Sequence, residues 1–358
     1  MRKHTPGACP AGLQPLLELT QRVGADPLLT QASTGNSSAK LDGVLWIKAS
    51  GRWMADAIRD DILMPLDLAE IRTRCLRRDV DPIEYYPNAS LETAMHAALP
   101  HPVVLHVHCV NTIAWAVRND APIQLQRRLE GLRWRWIPYV ASGLPLSRAI
   151  EHALSDSPGT NIFVLGNHGL VIGGEDAEAV EGLLGEVKTR MAIAPRQTGQ
   201  ADYAALVEMS RNSFWDLPDD DAVHSLGTDT VSQRILVEGP LYPCQAIFSD
   251  FKKELFGPIP YPGPRDPWQN RYRDRPFLIV EGRGVMIRRS MPRAELAMIS
   301  GLSQVVQRLS ASAPLRYLTE AEVAEISSEA TNRYRKLSRA GPRVHAAADH
   351  ESAHRRFR

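Results

Sequence analysis

The sequence predicts an α/β fold: a mixed or antiparallel sheet covered by helices. Three observations carry this. HPVVLHVHCV (101–110) and NIFVLGNHGLVIGG (161–174) are rich in β-branched and other apolar residues and read as strands. LQPLLELTQRVG (13–24) and DAEAVEGLLGEVKTRMAIA (176–194) repeat apolar positions at three- and four-residue spacing and read as amphipathic helices. The two kinds of segment alternate without a regular βαβ rhythm, which disfavours an all-parallel sheet.

Taken in order, the helix at 13–24 is followed by STGNSSAKLDG (33–43), which reads as turn-rich. VLWIKASG (44–51) is a short strand ending in a Ser-Gly turn, and MADAIRDDILM (54–64) reads as a helix. LETAMHAAL (91–99) is a helix with Asn88 and Ser90 placed to cap it. After the strand at 101–110, NTIAWAVRN (111–119) and APIQLQRRLEGL (121–132) are helical, and WIPYVASGLPLSRAI (136–150) crosses into a further helix. APRQTGQADY (194–203) is a linker, and short helices and strands alternate from about 201 to 334. FGPIPYPGPRDP (256–267) is a Pro/Gly-rich loop. From Arg333 onward, eight basic residues face two acidic ones, which predicts a disordered basic tail. The expected division is 1–200, a smaller α+β lobe at 201–335, and the tail at 336–358.

Composition limits function. The chain has 358 residues, 44% hydrophobic and 23% charged, enough for a core and for two domains. Forty-two Lys and Arg against 41 Asp and Glu leave a formal net charge of +1, which argues against a dedicated nucleic-acid binder. There is no run of about 18 apolar residues, so no membrane span is expected, and MRKH has no apolar segment behind it, so no signal peptide is read. Cys9, Cys75, Cys109 and Cys244 form no CxxC pair and are expected to be reduced thiols of a cytoplasmic protein. No GxGxxG follows a strand, so no dinucleotide site is expected.

Three of the eleven histidines stand out. His106 and His108, one residue apart on a strand, share a face. Desolvating two imidazoles together on an apolar strand requires a partner, and a metal would be one. His168, in the turn between two strands, makes a third ligand of an open zinc-type site. Read alone, an HxH is more often a satisfied pair than a ligand pair. His96 lies on an apolar helix and reads as structural; His345, His350 and His354 in the tail are too scattered for a site. Glu92, fourteen residues before His106, suits a ligand or general base, or simply a helix start. Gly35, Asn36, Ser50 and Gly51 are turn residues whose N–H groups and short side chains suit an anion, with Lys40 and Lys48 adding charge.

In order and spacing, TGNSS, WIKASG, SLETAMHAAL, HVH and GNHGLVIGG resemble the class II aldolase/adducin family, over about residues 29–192. The wording is most similar to the aldolase part of fused rhamnulose-phosphate aldolase/alcohol dehydrogenase proteins, and 241–337 to the lobe that follows there. The resemblance implies a three-layer α/β/α sandwich with a mixed, largely antiparallel sheet. It implies Zn2+, or another divalent transition metal, on His106, His108 and His168. Glu92 would be the catalytic carboxylate, near neutral pH if a dry pocket raises its pKa. Gly35, Asn36, Ser50, Gly51 and Ser90 would hold a substrate phosphate, and Tyr139 is the nearest match to the second acid/base, a tyrosine that family aldolases take from the neighbouring subunit. Leu91 stands where many family aldolases have serine, so a phosphate contact is missing; Lys48 or Lys40 would compensate, or the substrate carries no phosphate. Cys244-Gln245 replaces a usual Asp-His after Tyr242-Pro243.

The implied activity is zinc-dependent cleavage or formation of a ketose C–C bond through a metal-stabilised enediolate, with a ketose 1-phosphate the first substrate to consider. The implied assembly is a homo-oligomer, commonly a tetramer. An epimerase or decarboxylase on the same scaffold is the alternative enzyme; family epimerases usually carry aspartate at the position of Glu92. A non-catalytic adducin-like interaction module is the alternative of another class, and the retained triad speaks against it.

Overall fold

The computed structural model describes residues 10–76, 80–249, 253–262, 268–326 and 328–339. Helix α1 (Gln14–Ala25) leads into β1 (Asn36–Leu41) and β2 (Val44–Lys48), then β3 (Leu63–Asp67) and the single turn α2 (Leu68–Glu70). Next come α3 (Thr93–Ala98), β4 (Val103–Val107), α4 (Val110–Ala116), α5 (Ala121–Arg128), β5 (Trp134–Ile137) and α6 (Leu144–Asp156). β6 (Ile162–Leu165), β7 (Gly169–Gly174) and α7 (Ala177–Arg190) finish this part.

Seven strands form one sheet in the order β3-β2-β1-β4-β7-β6-β5. Every pairing is antiparallel except β5 with β6. Both faces are covered. Leu105, Val107, Val164 and Ile172 pack with α1 (Leu16, Leu19, Val23) and α7 (Val180, Leu184, Val187). Val104, Phe163, Leu165 and Val171 pack with α3 (Met95) and α6 (Leu146, Ile150). Burial on both faces is why these strands read as continuous apolar runs rather than as alternating ones. The expected three-layer α/β/α sandwich is therefore what forms.

Three segments differ from expectation. Residues 36–41 are a strand, joined to β2 by Asp42 and Gly43, both at positive φ (51° and 77°), an Asp-Gly hairpin turn. Its polar Asn36, Ser37 and Ser38 are buried, which hid it as a turn-rich stretch. In 54–64 only Met54–Asp56 is helical, a 3-10 turn, and Leu63 and Met64 open the edge strand β3. The cap on α3 is Glu92, whose side chain makes no capping bond; the Ser90 hydroxyl instead accepts from the Glu92 N–H at 3.2 Å.

The rest of the chain forms α8 (Tyr203–Ser210), β8 (Trp215–Asp216), α9 (Asp221–Thr228), α10 (Thr230–Glu238), α11 (Pro243–Ser249) and α12 (Trp268–Arg271). β9 (Phe277–Val280), β10 (Gly284–Arg288), α13 (Arg293–Val306), α14 (Glu320–Ile326) and α15 (Glu329–Arg339) follow. Its three-stranded sheet has the order β8-β10-β9. This lobe packs on α4: Val110, Ile113, Ala114 and Val117 share one apolar cluster with Phe248, Met298 and Leu302. The irregular 194–202 segment is pinned, since Arg196 pairs with Asp229 and donates to Val306 O at 2.8 Å. Residues 333–339, read from the sequence as the start of the basic tail, belong to α15. Residues 340–358, with the three tail histidines, lie outside the described residues, as do Cys9 and the side chain of Cys75. Cys109 and Cys244 are buried free thiols. Among the described residues no helix is long and apolar enough to cross a membrane.

Candidate metal centre and substrate cradle

The centre lies at one end of the three middle strands. β4 ends at His106–His108, β7 is entered from the turn that carries His168, and β1 begins at Asn36, paired across to His106. α3 brings Glu92 to the same point. Antiparallel pairing is what gathers these residues, because the end of one strand then lies beside the beginnings of its two neighbours.

His106, His108 and His168 are all buried, with potential ligand atoms within 4.8 Å of one another. Their ring centroids are 4.9–5.1 Å apart, edge to face. His106 Nε2 lies 3.0 Å from His108 Nε2. Glu92 Oε1 lies 3.3 Å from His106 Nε2 and 3.1 Å from His168 Nε2. The Nε2 atoms thus face a common point beside one carboxylate oxygen, the donor set a divalent transition metal accepts. His106 Nδ1 faces Leu170 O at 3.0 Å, which fixes the ring with Nε2 turned inward.

The other oxygen of Glu92 is held. Asn36 Nδ2 donates to Oε2 at 2.7 Å and to Ser90 Oγ at 3.0 Å. Asn36 is itself fixed through Oδ1 by His96 Nε2, while His96 Nδ1 meets Ser38 Oγ at 2.7 Å. Burial drives the His96 pKa down to about 3. The neutral ring then donates to Asn36 and accepts from Ser38. His96 is structural, as expected, but what it braces is the arm that holds Glu92. Burial works to raise the Glu92 pKa, yet the charge and hydrogen bonds of His106, with those of His168, take it well below the carboxylate norm. The expected upward shift is therefore reversed. Burial lowers the pKa of His108 and, against the upward pull of Glu92, that of His168.

The cradle residues are brought near but not left open. Gly35 and Asn36 sit against His106, whereas Ser50 spends its N–H on Asn88 O at 2.9 Å. Leu337 of α15 covers Gly51. A pocket of about 570 Å³ lies on the outer side of this turn, lined by Ser50, Gly51, Trp53, Asn88 and Leu337 among others; the histidines do not line it. Two residues of α15 not singled out from the sequence reach the same place: Ser33 Oγ donates to Tyr334 Oη at 3.2 Å and meets Ser338 Oγ at 2.5 Å. Their four-residue spacing was the one signal in an otherwise basic segment. Tyr139 stands beside the turn that carries His168: its backbone abuts Gly166, Arg316 stacks 5.1 Å from its ring, and its buried hydroxyl has no hydrogen-bond partner among the described residues. Burial, then Glu322 and Glu325, push its pKa up to about 12.

Lys48 is 2% exposed and donates to Ser33 O at 3.0 Å and Arg52 O at 2.7 Å. That leaves one N–H, and no carboxylate pairs with it among the described residues. Burial lowers its pKa to about 7, against a weaker pull upward from Glu92. Lys40 sits at the far end of β1, donating to His101 O at 2.7 Å, and is no part of the cradle. Between about pH 7 and the unfolded value of 10.5, the unfolded chain holds a proton on Lys48 that the folded chain has lost, so stability rises with pH there. Lys48→Met is expected to flatten that rise by up to about 1.4 kcal/mol per pH unit. Urea unfolding of both proteins across this window checks it; parallel curves would show that the buried ammonium is not penalised.

Comparison with known proteins follows the same outline. A 191-residue stretch is 28% identical to the uncharacterized oxidoreductase YuxG of Bacillus subtilis (strain 168). The match covers 47% of this chain and 27% of that protein, so the chain spans about a quarter of the curated relative. The N-terminal class II aldolase domain of a conserved protein from Thermoplasma acidophilum is 19% identical at TM-score 0.45, covering 53% of this chain and 97% of that one. L-fuculose-1-phosphate aldolase from Thermus thermophilus is 19% identical at TM-score 0.36, covering 49% and 91%. Residues 15–194, half of the chain, match the class II aldolase and adducin N-terminal domain, and the chain belongs to that family.

Proposed function

We propose that the chain is a divalent-metal-dependent aldolase that cleaves or forms a C–C bond of a ketose bearing an anionic group, a ketose 1-phosphate being the first candidate. The observation that carries this is the convergence of three buried imidazoles, two of them within 3.3 Å of the Glu92 carboxylate. His106, His108 and His168 would hold the ion, with Zn2+ the first choice for three imidazoles. When bound, the ion supplies Lewis acidity to a carbonyl and its adjacent hydroxyl. Glu92 then delivers a proton to the carbon left by C3–C4 cleavage, or removes it in the synthetic direction. Asn36, which also donates to Ser90 Oγ, holds Oε2 so that Oε1 would face the reacting carbon. Burial of all four groups excludes water that would compete for that proton. Lys48, with Gly35, Asn36, Ser50 and Gly51, would take the anionic group. Tyr139 would serve the C4 oxygen, taking the hydroxyl proton in cleavage and returning it in the synthetic direction, where its raised pKa suits it as the donor.

The test is metal content per chain after purification without chelator, for wild type, His106→Ala and His168→Ala, followed by assay of ketose 1-phosphates for released aldehyde. The expected result is about one ion in wild type, none in the variants, and aldehyde release only by wild type. No ion in wild type would refute the reading in favour of a binding module. Interconversion of epimers without aldehyde would move it to an epimerase.

A further inference from the structure

The C-terminal lobe touches His108 of the triad and Asn167, the residue before His168. Cys244, on α11, places Sγ 3.2 Å from His108 Nδ1. The other nitrogen, Nε2, is the one turned toward His106. An imidazole that uses Nε2 as a ligand carries its proton on Nδ1, and that N–H needs an acceptor to fix the ring. For His106 the acceptor is a backbone carbonyl of β7. For His108 it is a sulfur 136 residues further along the chain. The second contact is on the turn that presents His168. Asn167, at φ 52°, donates from Nδ2 to Leu241 O and to Arg316 O, both at 2.8 Å, and Arg316 Nη1 donates to Asn167 Oδ1 at 3.0 Å. Leu241 and Cys244 belong to one turn, closed by Gln245 Oε1 accepting from Leu241 N at 2.7 Å. A single turn of the lobe, 241–245, therefore bears on both His108 and the neighbour of His168.

We propose that Cys244 is a positioning residue for His108, so that the lobe completes the metal centre of its own chain. This rests on the metal reading above. The sulfur fills the space beside the ring and accepts its N–H without adding a second negative charge near Glu92.

The test uses the full chain, stripped of metal and titrated with Co2+ alone, for wild type, Cys244→Ser and Cys244→Val. Binding constants, the visible absorption of the bound ion and the melting temperature of the metal-free protein are read together. Cys244→Val is expected to bind about 10–100-fold more weakly with an altered spectrum, as loss of an outer partner of a ligand does. Cys244→Ser, which restores an acceptor, should return to within a few-fold of wild type with its spectrum. Wild-type affinity and spectrum in Cys244→Val would overturn the proposal. Equal losses in Ser and Val, tracking equal falls in metal-free melting temperature, would also overturn it, because packing alone would explain them. Wild type that binds no Co2+ would remove the metal reading, and this inference with it; the two preceding outcomes both require wild-type binding, so the failures are distinct.

Discussion

Glu92→Gln is expected to keep its metal and lose turnover by about a hundredfold or more, the usual contribution of a positioned acid/base. The substitution conserves shape. The glutamine carbonyl can still accept from Asn36 Nδ2, which now donates to Oε2 at 2.7 Å. The three imidazoles that would hold the ion are untouched, so occupancy should stay at wild-type level. What is lost is a group able to carry a proton at the position now held by Oε1, 3.1 Å from His168 Nε2. Metal content and kcat at saturating ketose phosphate, measured on the same preparations, check this. Wild-type kcat would remove Glu92 from proton transfer. Loss of the ion together with activity would make Glu92 a ligand rather than a base.

The triad was legible in the sequence because its chemistry is local. A two-residue period places His106 and His108 together, and a Gly-flanked turn between two strands marks His168. The support of the triad was not legible. β1 buries Asn36, Ser37 and Ser38, and polar residues at buried positions read as a turn unless their partners are known. Those partners, Ser90, Glu92 and His96, lie 54 to 60 residues away. β3 was hidden for another reason. It is an edge strand, where Pro65 is tolerated because no ladder bond need be donated outward, and its approach through Asp60 and Asp61 resembles a helix surface. In α15 the buried or half-buried Tyr334, Leu337 and Ser338 form one face at helical spacing, masked by Arg333, Arg335, Lys336 and Arg339. The Cys244 and Tyr334 contacts depend on how the lobe docks, which local pattern does not encode.

The close approach of backbones at the site makes a second strong expectation, with an internal control. Gly35 and Gly43 have nearly the same left-handed backbone, φ +70° and +77°. They differ in surroundings: a Cβ on Gly35 would lie 2.7 Å from His106 O, while one on Gly43 meets nothing within 4 Å. Gly43→Ala should therefore cost only the conformational penalty, about 1–2 kcal/mol. Gly35→Ala carries that penalty and must also push β1 from β4, for a total of about 2–5 kcal/mol. The displaced carbonyl belongs to His106, one of the proposed ligands, and Asn36, next in the chain, is the arm on Glu92. Gly35→Ala should therefore lose metal and activity as well as stability, whereas Gly43→Ala keeps both. Denaturant unfolding and metal content of the two variants decide it. Equal destabilisation with metal retained in both would mean that the β1–β4 spacing beside His106 has room to spare, and that Gly35 is there for its φ alone.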